Sequence, residues 1–465
     1  MGRLIPAADA TLRRHLRRIL DAAVDAVDPS AAVRAIVRRA GNRLRIGDRE
    51  YDLARVRRIF VIGGGKADAP MAAALEAILR DRITGGLLSV KYGHVVPLRR
   101  VEIVEAGHPL PDEAGRRAAE RILDIAGAAE RDDLVICLIS GGGSALLPAP
   151  VAGLGLQQKI ELTDLLLRSG ATIQEINTVR KHLSRIKGGR LAEAAAPAQV
   201  AVLILSDVLG NPLDAIASGP AVPDPTTFAE ALEIIGRYGL ESRIPEAARH
   251  YLRRGAHGEE PETPKPGAPA FARVHTVVIG SNEHAARAAV AEAQARGYHT
   301  LLLTTFLEGE AREAARVFAS VARSVRETGT PLAPPACIVA GGETTVTVRG
   351  QGKGGRCQEF ALSAARAIHG SPRVLVAAFG TDGTDGPTDA AGAIADGTTL
   401  DRAAVLGFDS AAALRRNDAY PFFSALGDLI VTGPTRTNVN DLYVTLIGET
   451  HTRAVRKTAR RRGSG

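Results

Sequence analysis

Apolar positions fall along this chain in two rhythms. Leu12, Leu16, Ile19, Leu20, Val24 and Val27 recur at helical spacing and predict one amphipathic helix near the start. After it a single phrase repeats: a short aliphatic run, a turn bearing Gly or Asp, then a helical stretch. Ile59 to Ile62 leads into Gly63-Gly64-Gly65-Lys66 and an Ala-rich helix, and Leu134 to Ile139 leads into Ser140-Gly141-Gly142-Gly143-Ser144. Val200 to Leu205 ends at Ser206-Asp207. Val274 to Ile279 ends at Gly280-Ser281-Asn282-Glu283, with a helix from Ala285 to Arg296. Gly297 is expected to close that helix as a left-handed cap, with a strand restarting near His299. Cys337 to Ala340 precedes Gly341-Gly342-Glu343, and Val374 to Phe379 precedes Gly380-Thr381-Asp382.

Continuous apolar strands alternating with helices predict an α/β fold built on mostly parallel, doubly wound, Rossmann-like sheet, covered on both faces. Ligands of such sheets bind beyond the carboxyl ends of the strands, where the Gly, Ser, Lys and Asp residues of this chain fall. Pro261, Pro264, Pro266 and Pro269, among Glu259, Glu260 and Glu262, mark a linker over 256–272. It divides an N-terminal domain (1–255) from a second α/β domain (273–465), with a cleft between them.

Composition narrows the picture only a little. The 465 residues are 45% apolar and 24% charged, an ordinary globular balance. The net charge of +8 gathers at Arg13, Arg14, Arg17 and Arg18 and in the tail Arg453 to Arg462. These read as a solvated helix face and a frayed end, with no nucleic-acid motif beside them. Cys137, Cys337 and Cys357 have no disulfide or zinc spacing, and the first two read as core thiols. No apolar stretch is long enough to span a membrane and no leader pattern opens the chain, so the expected location is the cytoplasm.

The chemistry lies in the turns. Gly63 to Lys66 follows a strand and opens a helix, where backbone N–H groups attract phosphate and a Lys can neutralise phosphoryl oxygens. A tight turn with an exposed Lys is the plainer alternative. It is not a Walker A loop, because Phe60 and Ala67 stand where Gly and Ser or Thr belong. Ser140 to Ser144 lacks the G-x-S-x-G order of a nucleophile elbow, and reads as an anion cradle or a structural turn. Gly350-Gln351-Gly352-Lys353-Gly354-Gly355 matches G-x-G-x-x-G, but the acid expected about 20 residues on is missing. A phosphate-covering loop with Arg356 aimed into the cleft fits better. Gly380 to Asp389 carries Asp382, Asp385 and Asp389, oxygen ligands for Mg²⁺ or Asx turns. His108 and His182 are lone histidines, expected to be packed or solvated rather than catalytic.

Together these segments resemble the type II glycerate kinase family, whose C-terminal half is the MOFRL domain. The likeness rests on GGGKA at 63–67, AGHPLPD at 106–112, ISGGGSALLPAP at 139–150, EINTVRKHLSRIKGGR at 175–190 and IASGPAVPDPT at 216–226. It continues through GGET at 341–344, GKGGRCQE at 352–359, Gly380 to Ala395 and TGPTRTNVNDL at 432–442. The resemblance implies an ATP- and Mg²⁺-dependent kinase acting on D-glycerate to give 2-phosphoglycerate, in an interdomain site, with Lys66 and Arg356 as its central cations. Three positions depart from the family pattern: Asn211 for Asp, Cys357 for Asn and Arg436 for Gly.

In-line phosphoryl transfer is mostly positioning and charge neutralisation. Lys66 and Arg356 are expected at the γ-phosphoryl group, with Asp385 or Asp389 accepting the hydroxyl proton. Gly64, Gly65, Ser140, Gly141, Gly142, Gly143 and Ser144, with Glu343, Gly352, Lys353, Gly354 and Gly355, are expected around nucleotide and substrate. Arg180 or Lys181 is expected to clamp the carboxylate, and Asp207 and Asp382 to hold Mg²⁺. Glycerate and ATP are the expected partners, with no nucleic acid or membrane, in a monomer or homodimer. The alternatives are an NAD(P)H-dependent hydroxypyruvate reductase and a non-catalytic metabolite-binding regulator.

Overall fold

The computed structural model describes residues 9–449; the basic tail Arg453 to Arg462 lies outside them. Its fifteen strands form three sheets. A small antiparallel meander comprises β1 (Val37–Ala40), β2 (Arg43–Ile46) and β3 (Arg49–Asp52). The first large sheet holds β4 (Ile59–Gly64), β5 (Ile83–Lys91), β6 (Glu102–Ala106), β7 (Leu134–Ile139), β8 (Gln199–Leu205) and β9 (Val274–Gly280). Its order is β6-β5-β4-β7-β8-β9, and every pairing is parallel. β7 is buried along its whole length, as a strand covered on both faces must be. Successive strands run outward from β4 in one direction and from β7 in the other, so the switch point lies between these two.

The second large sheet corrects the expectation of parallel strands. It contains β10 (His299–Leu307), β11 (Ala336–Gly342), β12 (Val374–Gly380), β13 (Gly392–Asp396), β14 (Leu429–Ile430) and β15 (Asp441–Ile447), in the order β10-β11-β15-β12-β13-β14. Only β10 and β11 pair in parallel; β15 runs antiparallel between β11 and β12. Apolar runs alone do not reveal direction, since a buried strand reads the same both ways. This register sets Asp441, at the start of β15, beside Gly342 and Gly380 at the ends of β11 and β12.

The expected division of the chain also shifts. β9 follows the Pro-rich stretch yet extends the first sheet, because β8 offers it a free parallel edge. The stretch itself is laid on the first unit: Asp224 N–H donates to Pro264 O at 2.9 Å, and Thr263 is buried. Prolines lack a donor but keep their carbonyls, so a Pro-rich segment can still be tied down. The opening helix, Ala10–Asp25, packs against the second unit's helix Asn282–Ala295. Arg13 there reaches Asp396 at 2.7 Å and Asp428 at 2.8 Å. One core cluster accordingly runs from Val61 and Leu138 through Leu16 and Ala289 to Val339 and Phe379. All three cysteines are buried and unpaired, and Gly297 takes φ +83° after its helix.

Candidate active site

The turns after β4 and β7 meet at the switch point. Lys66 N–H donates to Gly141 O at 2.9 Å, and Gly65 N–H to Ser89 O at 3.1 Å. Ser140 Oγ accepts from Ala67 N–H at 2.9 Å and donates to Asp68 Oδ1 at 2.5 Å. Buried Ser140 is therefore a strut between the two turns rather than a ligand group. The glycines are needed for close packing: a Cβ on Gly65 would lie 2.1 Å from Ser140 Oγ, and one on Gly143 2.5 Å from Gly64 O. On Gly64 it would strike Leu147, and on Gly141 it would meet Asp207 Oδ2 at 2.2 Å. Gly142 takes φ +84°, with His108 and the Lys66 side chain against it.

Lys66 makes no side-chain hydrogen bond or ion pair among the described residues. Asp207 likewise makes no ion pair. Burial raises its carboxyl, opposed by the nearby charge of Lys66. His108, expected to be a bystander, stands beside Lys66: burial first, then Lys66 and Lys91, push its imidazole down to about 4. The expected carboxylate clamps separate. Arg180 donates to Ser144 Oγ at 2.5 Å, on the far side of the Gly141–Gly143 turn. Lys181, one residue on along the helix Ile173–His182, points elsewhere: it is buried and pairs with Asp214 at 3.2 Å and Asp224 at 3.5 Å. That pairing corrects its expected role.

The other half of the cleft carries acids. Arg356 opens the helix Arg356–Ala367 and is not a free cation. Its Nε and Nη2 reach the two oxygens of Asp441 at 2.6 and 3.0 Å, and Nη1 reaches Glu343 at 2.6 Å. Asn440 Nδ2 holds the other Glu343 oxygen at 2.7 Å. Burial disfavours the Arg356 charge, but the Asp441 contacts outweigh it and raise the group. Burial pushes the Asp441 carboxyl up to about 7 against the pull of Arg356.

Both expected bases are engaged in hydrogen bonds. Asp385 Oδ1 accepts from Cys357 N–H at 3.0 Å and Oδ2 from Gln358 N–H at 2.8 Å. It is buried and caps the Arg356 helix, which satisfies orphan helix donors. Asp389 is exposed and accepts from Tyr420 O–H at 2.7 Å, outside the cavities described next. Gly352 N–H is taken by Arg416 O and Lys353 N–H by Asp418 Oδ1, both at 2.9 Å. Those two amides are therefore not free for phosphate. Lys353 lies over the Tyr420 ring, 4.2 Å from its centre. The glycines of 350–355 are again set by packing: a Cβ on Gly350 would lie 2.3 Å from Arg416 O, and one on Gly355 2.3 Å from Asp385.

Between the halves lies a cavity of about 520 Å³, lined by Lys66, His94 and Gly141 from one side and Asp382, Thr384 and Arg436 from the other. It shares Asp382 and Thr384 with a cavity of about 630 Å³, lined by Gly352, Gly354, Gly355, Arg356 and Asp385. Asp382 Oδ1 accepts from Thr384 N–H at 2.9 Å, and its second oxygen makes no internal bond. Among the described residues no three metal-ligating side chains cluster. Asp382 lines the cavity with one oxygen unengaged, whereas Asp207 lies against Gly141 outside that lining. Sequence reasoning missed Asp441, Asn440 and Lys187. The first two stand in the quoted segment at 432–442 and Lys187 in the one at 175–190, but neither segment by itself gave them a role.

A family model described as "Domain of unknown function (DUF4147)" matches residues 15–253, and one described as "MOFRL family" matches residues 336–441. The chain is 44% identical over 431 residues to a protein of Pyrococcus horikoshii named glycerate 2-kinase, covering 92% of this chain and 96% of that one. It is 47% identical over 442 residues to a protein of Agrobacterium vitis with a provisional hydroxypyruvate reductase name, covering 95% of each. The crystal structure of a glycerate kinase from Thermotoga maritima superposes with a TM-score of 0.85 at 41% identity, covering 94% of this chain and all of that one. No helix among the described residues is long and apolar enough to cross a membrane.

Proposed function

This chain belongs to the glycerate kinase family, and from that premise we propose that it transfers the γ-phosphoryl group of ATP to the 2-hydroxyl of D-glycerate, giving 2-phosphoglycerate. One observation supports the reading most. An unpaired Lys66 at the switch point of the first sheet faces Asp382 of the second across a single cavity. Phosphoryl transfer asks the protein chiefly to place charges and exclude water. Lys66 neutralises the transferring oxygens. Arg356, held by Glu343 and Asp441, orients its loop and presents a cation already fixed in place. His108, kept neutral by burial and by Lys66, makes no hydrogen bond among the described residues and is an uncommitted proton acceptor beside them. Asp382 would hold Mg²⁺, which when bound neutralises phosphate charge.

The glycines at 350–355 do not favour a reductase, since close packing accounts for three of them: Gly350 and Gly352 on Arg416 and Asp418, and Gly355 on Asp385. A cytoplasmic site of action accords with the use of ATP. The test is an end-point reaction of the protein with D-glycerate, ATP and Mg²⁺, read by ³¹P NMR. A phosphorus signal coupled to a CH proton is expected. Coupling to a CH₂ would move the phosphate to the 3-hydroxyl. Absence of transfer from folded protein, together with NADH oxidation by hydroxypyruvate, would overturn the kinase reading.

A further inference from the structure

Behind the Ser140–Ser144 turn the protein gathers three cations and gives them no carboxylate. Arg180 and Lys187 converge on Ser144: Arg180 Nη2 donates to its Oγ at 2.5 Å, and Lys187 Nζ to its Oγ and its carbonyl oxygen, each at 2.9 Å. Lys187 is wholly buried, and its one further contact is Ala217 O at 3.4 Å. Lys159, on the helix Leu156–Arg168, is 6% exposed, and its Nζ has no partner. Arg180 Nε is also buried without one. Among the described residues no Asp or Glu oxygen comes within 4 Å of any of the three. The chain does otherwise when it buries a lysine nearby, for Lys181 is given Asp224 and Asp214.

Buried like charges without a counter-charge are costly: the group gives up its proton, or an anion that binds offsets the charge. The strain appears as depressed basicity. Burial, then the Arg180 charge, pushes Lys159 down to about 7, and burial followed by Arg180 and Lys159 lowers Lys187. Ser144 and Arg180 are partly exposed, and Gly142, two residues before Ser144, has the His108 and Lys66 side chains against it.

We propose that Ser144, Arg180, Lys187 and Lys159 form an anion subsite that takes the carboxylate of the hydroxy acid. The identity of that acid rests on the kinase reading above; the subsite itself rests on the unpaired cations. The phosphates are assigned to the opposite side of the turn, where Lys66 and Asp382 line the cavity. Arg180 supplies the planar guanidinium suited to a carboxylate, and the two lysines supply field from behind it.

Lys159→Met and Lys187→Met test this, with Lys187→Arg as the charge-keeping control. Losing a charge-assisted contact is expected to raise the KM for D-glycerate about tenfold or more in each Met variant, while the KM for ATP changes less than about threefold. Lys187→Arg, which keeps the charge, is expected to raise the glycerate KM less than Lys187→Met does. Without ligand, Lys159→Met is expected to melt at or above the wild-type temperature, because an unpaired buried charge is gone. Thermal shift with D-glycerate, glycolate, lactate and inorganic phosphate reads binding apart from turnover. Stabilisation of the wild type by the carboxylates, lost in Lys159→Met, supports the subsite even if no phosphoryl transfer is found. An unchanged glycerate KM and an unchanged carboxylate shift in Lys159→Met overturn it. A rise in the ATP KM instead, or stabilisation by phosphate and not by carboxylates, overturns the carboxylate assignment. Should Lys187→Met fail to fold, Lys159→Met decides alone.

Discussion

The two sets of strand-end loops that face each other across the cleft solve charge in opposite ways. The first half holds cations with no carboxylate partner among the described residues: Lys66 in a strand-end turn, and Arg180, Lys187 and Lys159 behind Ser144. The loops of the second sheet hold a cation that is already neutralised, Arg356 between Asp441 and Glu343, with Asp382 and Asp385 nearby. A free cation is available to a ligand and contributes little to folding. A paired one contributes to folding and is positioned in advance. A basic side chain at a strand-end turn is thus left free in one half and held by two carboxylates in the other.

Removing the two cations tests that contrast most strongly. Lys66→Ala is expected to lower kcat by about 10²- to 10³-fold, with a melting temperature near the wild type, because the side chain holds nothing in place. Steady-state kinetics beside a thermal melt read both halves of the claim, and a folded variant with near-normal kcat would end the role given to Lys66. Arg356→Ala is expected to behave differently. It strands the buried Asp441 carboxylate and should destabilise the protein by roughly 3 kcal/mol, seen as a lower urea midpoint. Adding Asp441→Asn should recover much of that loss, since the two residues act on one contact. Equal stability losses at Lys66 and Arg356 would erase the distinction.

A smaller effect sharpens the comparison between buried acids. Asp441 has its arginine, whereas Asp68 has only Ser140, and burial pushes Asp68 up to about 7. The folded state then keeps a proton that the unfolded state releases near pH 4. Stability from this group is present at low pH and falls as pH rises from about 4 to about 7, by at most about 1.4 kcal/mol per pH unit. Asp68→Asn keeps the Ser140 bond and should flatten that slope, measured by urea unfolding at several pH values. An unchanged slope would mean that Asp68 is ionised in the folded protein.

Much of the site was legible as a place. The Gly63–Lys66 and Ser140–Ser144 turns, Asp207 and Asp382 all fall at strand ends, because the aliphatic runs before them can only be strands buried on both faces. Roles were less legible. Asp385 looked like a base and is a helix cap, since a carboxylate three residues past Asp382 gives no hint that a distant helix will begin beneath it. Glycines at 350–355 looked like a phosphate loop, because sequence does not distinguish a glycine that a ligand approaches from one that Arg416 approaches. Lys181 and Arg180 looked interchangeable, yet successive residues on a helix point about 100° apart.

What the sequence determined by itself is local: which segments are strands, which turns carry chemistry, and the amphipathic stripe of the opening helix. These follow from periodicity and turn chemistry, which act over a few residues. The tertiary structure alone decided the direction of β15, the membership of β9 in the first sheet and the docking of the opening helix on the second unit. It alone also brought Asp441 to Arg356 and Lys159 to Arg180. Those outcomes depend on which edges and faces remain free once the rest has folded, and on burial, which turns an ordinary Lys or Asp into a group that must have a partner.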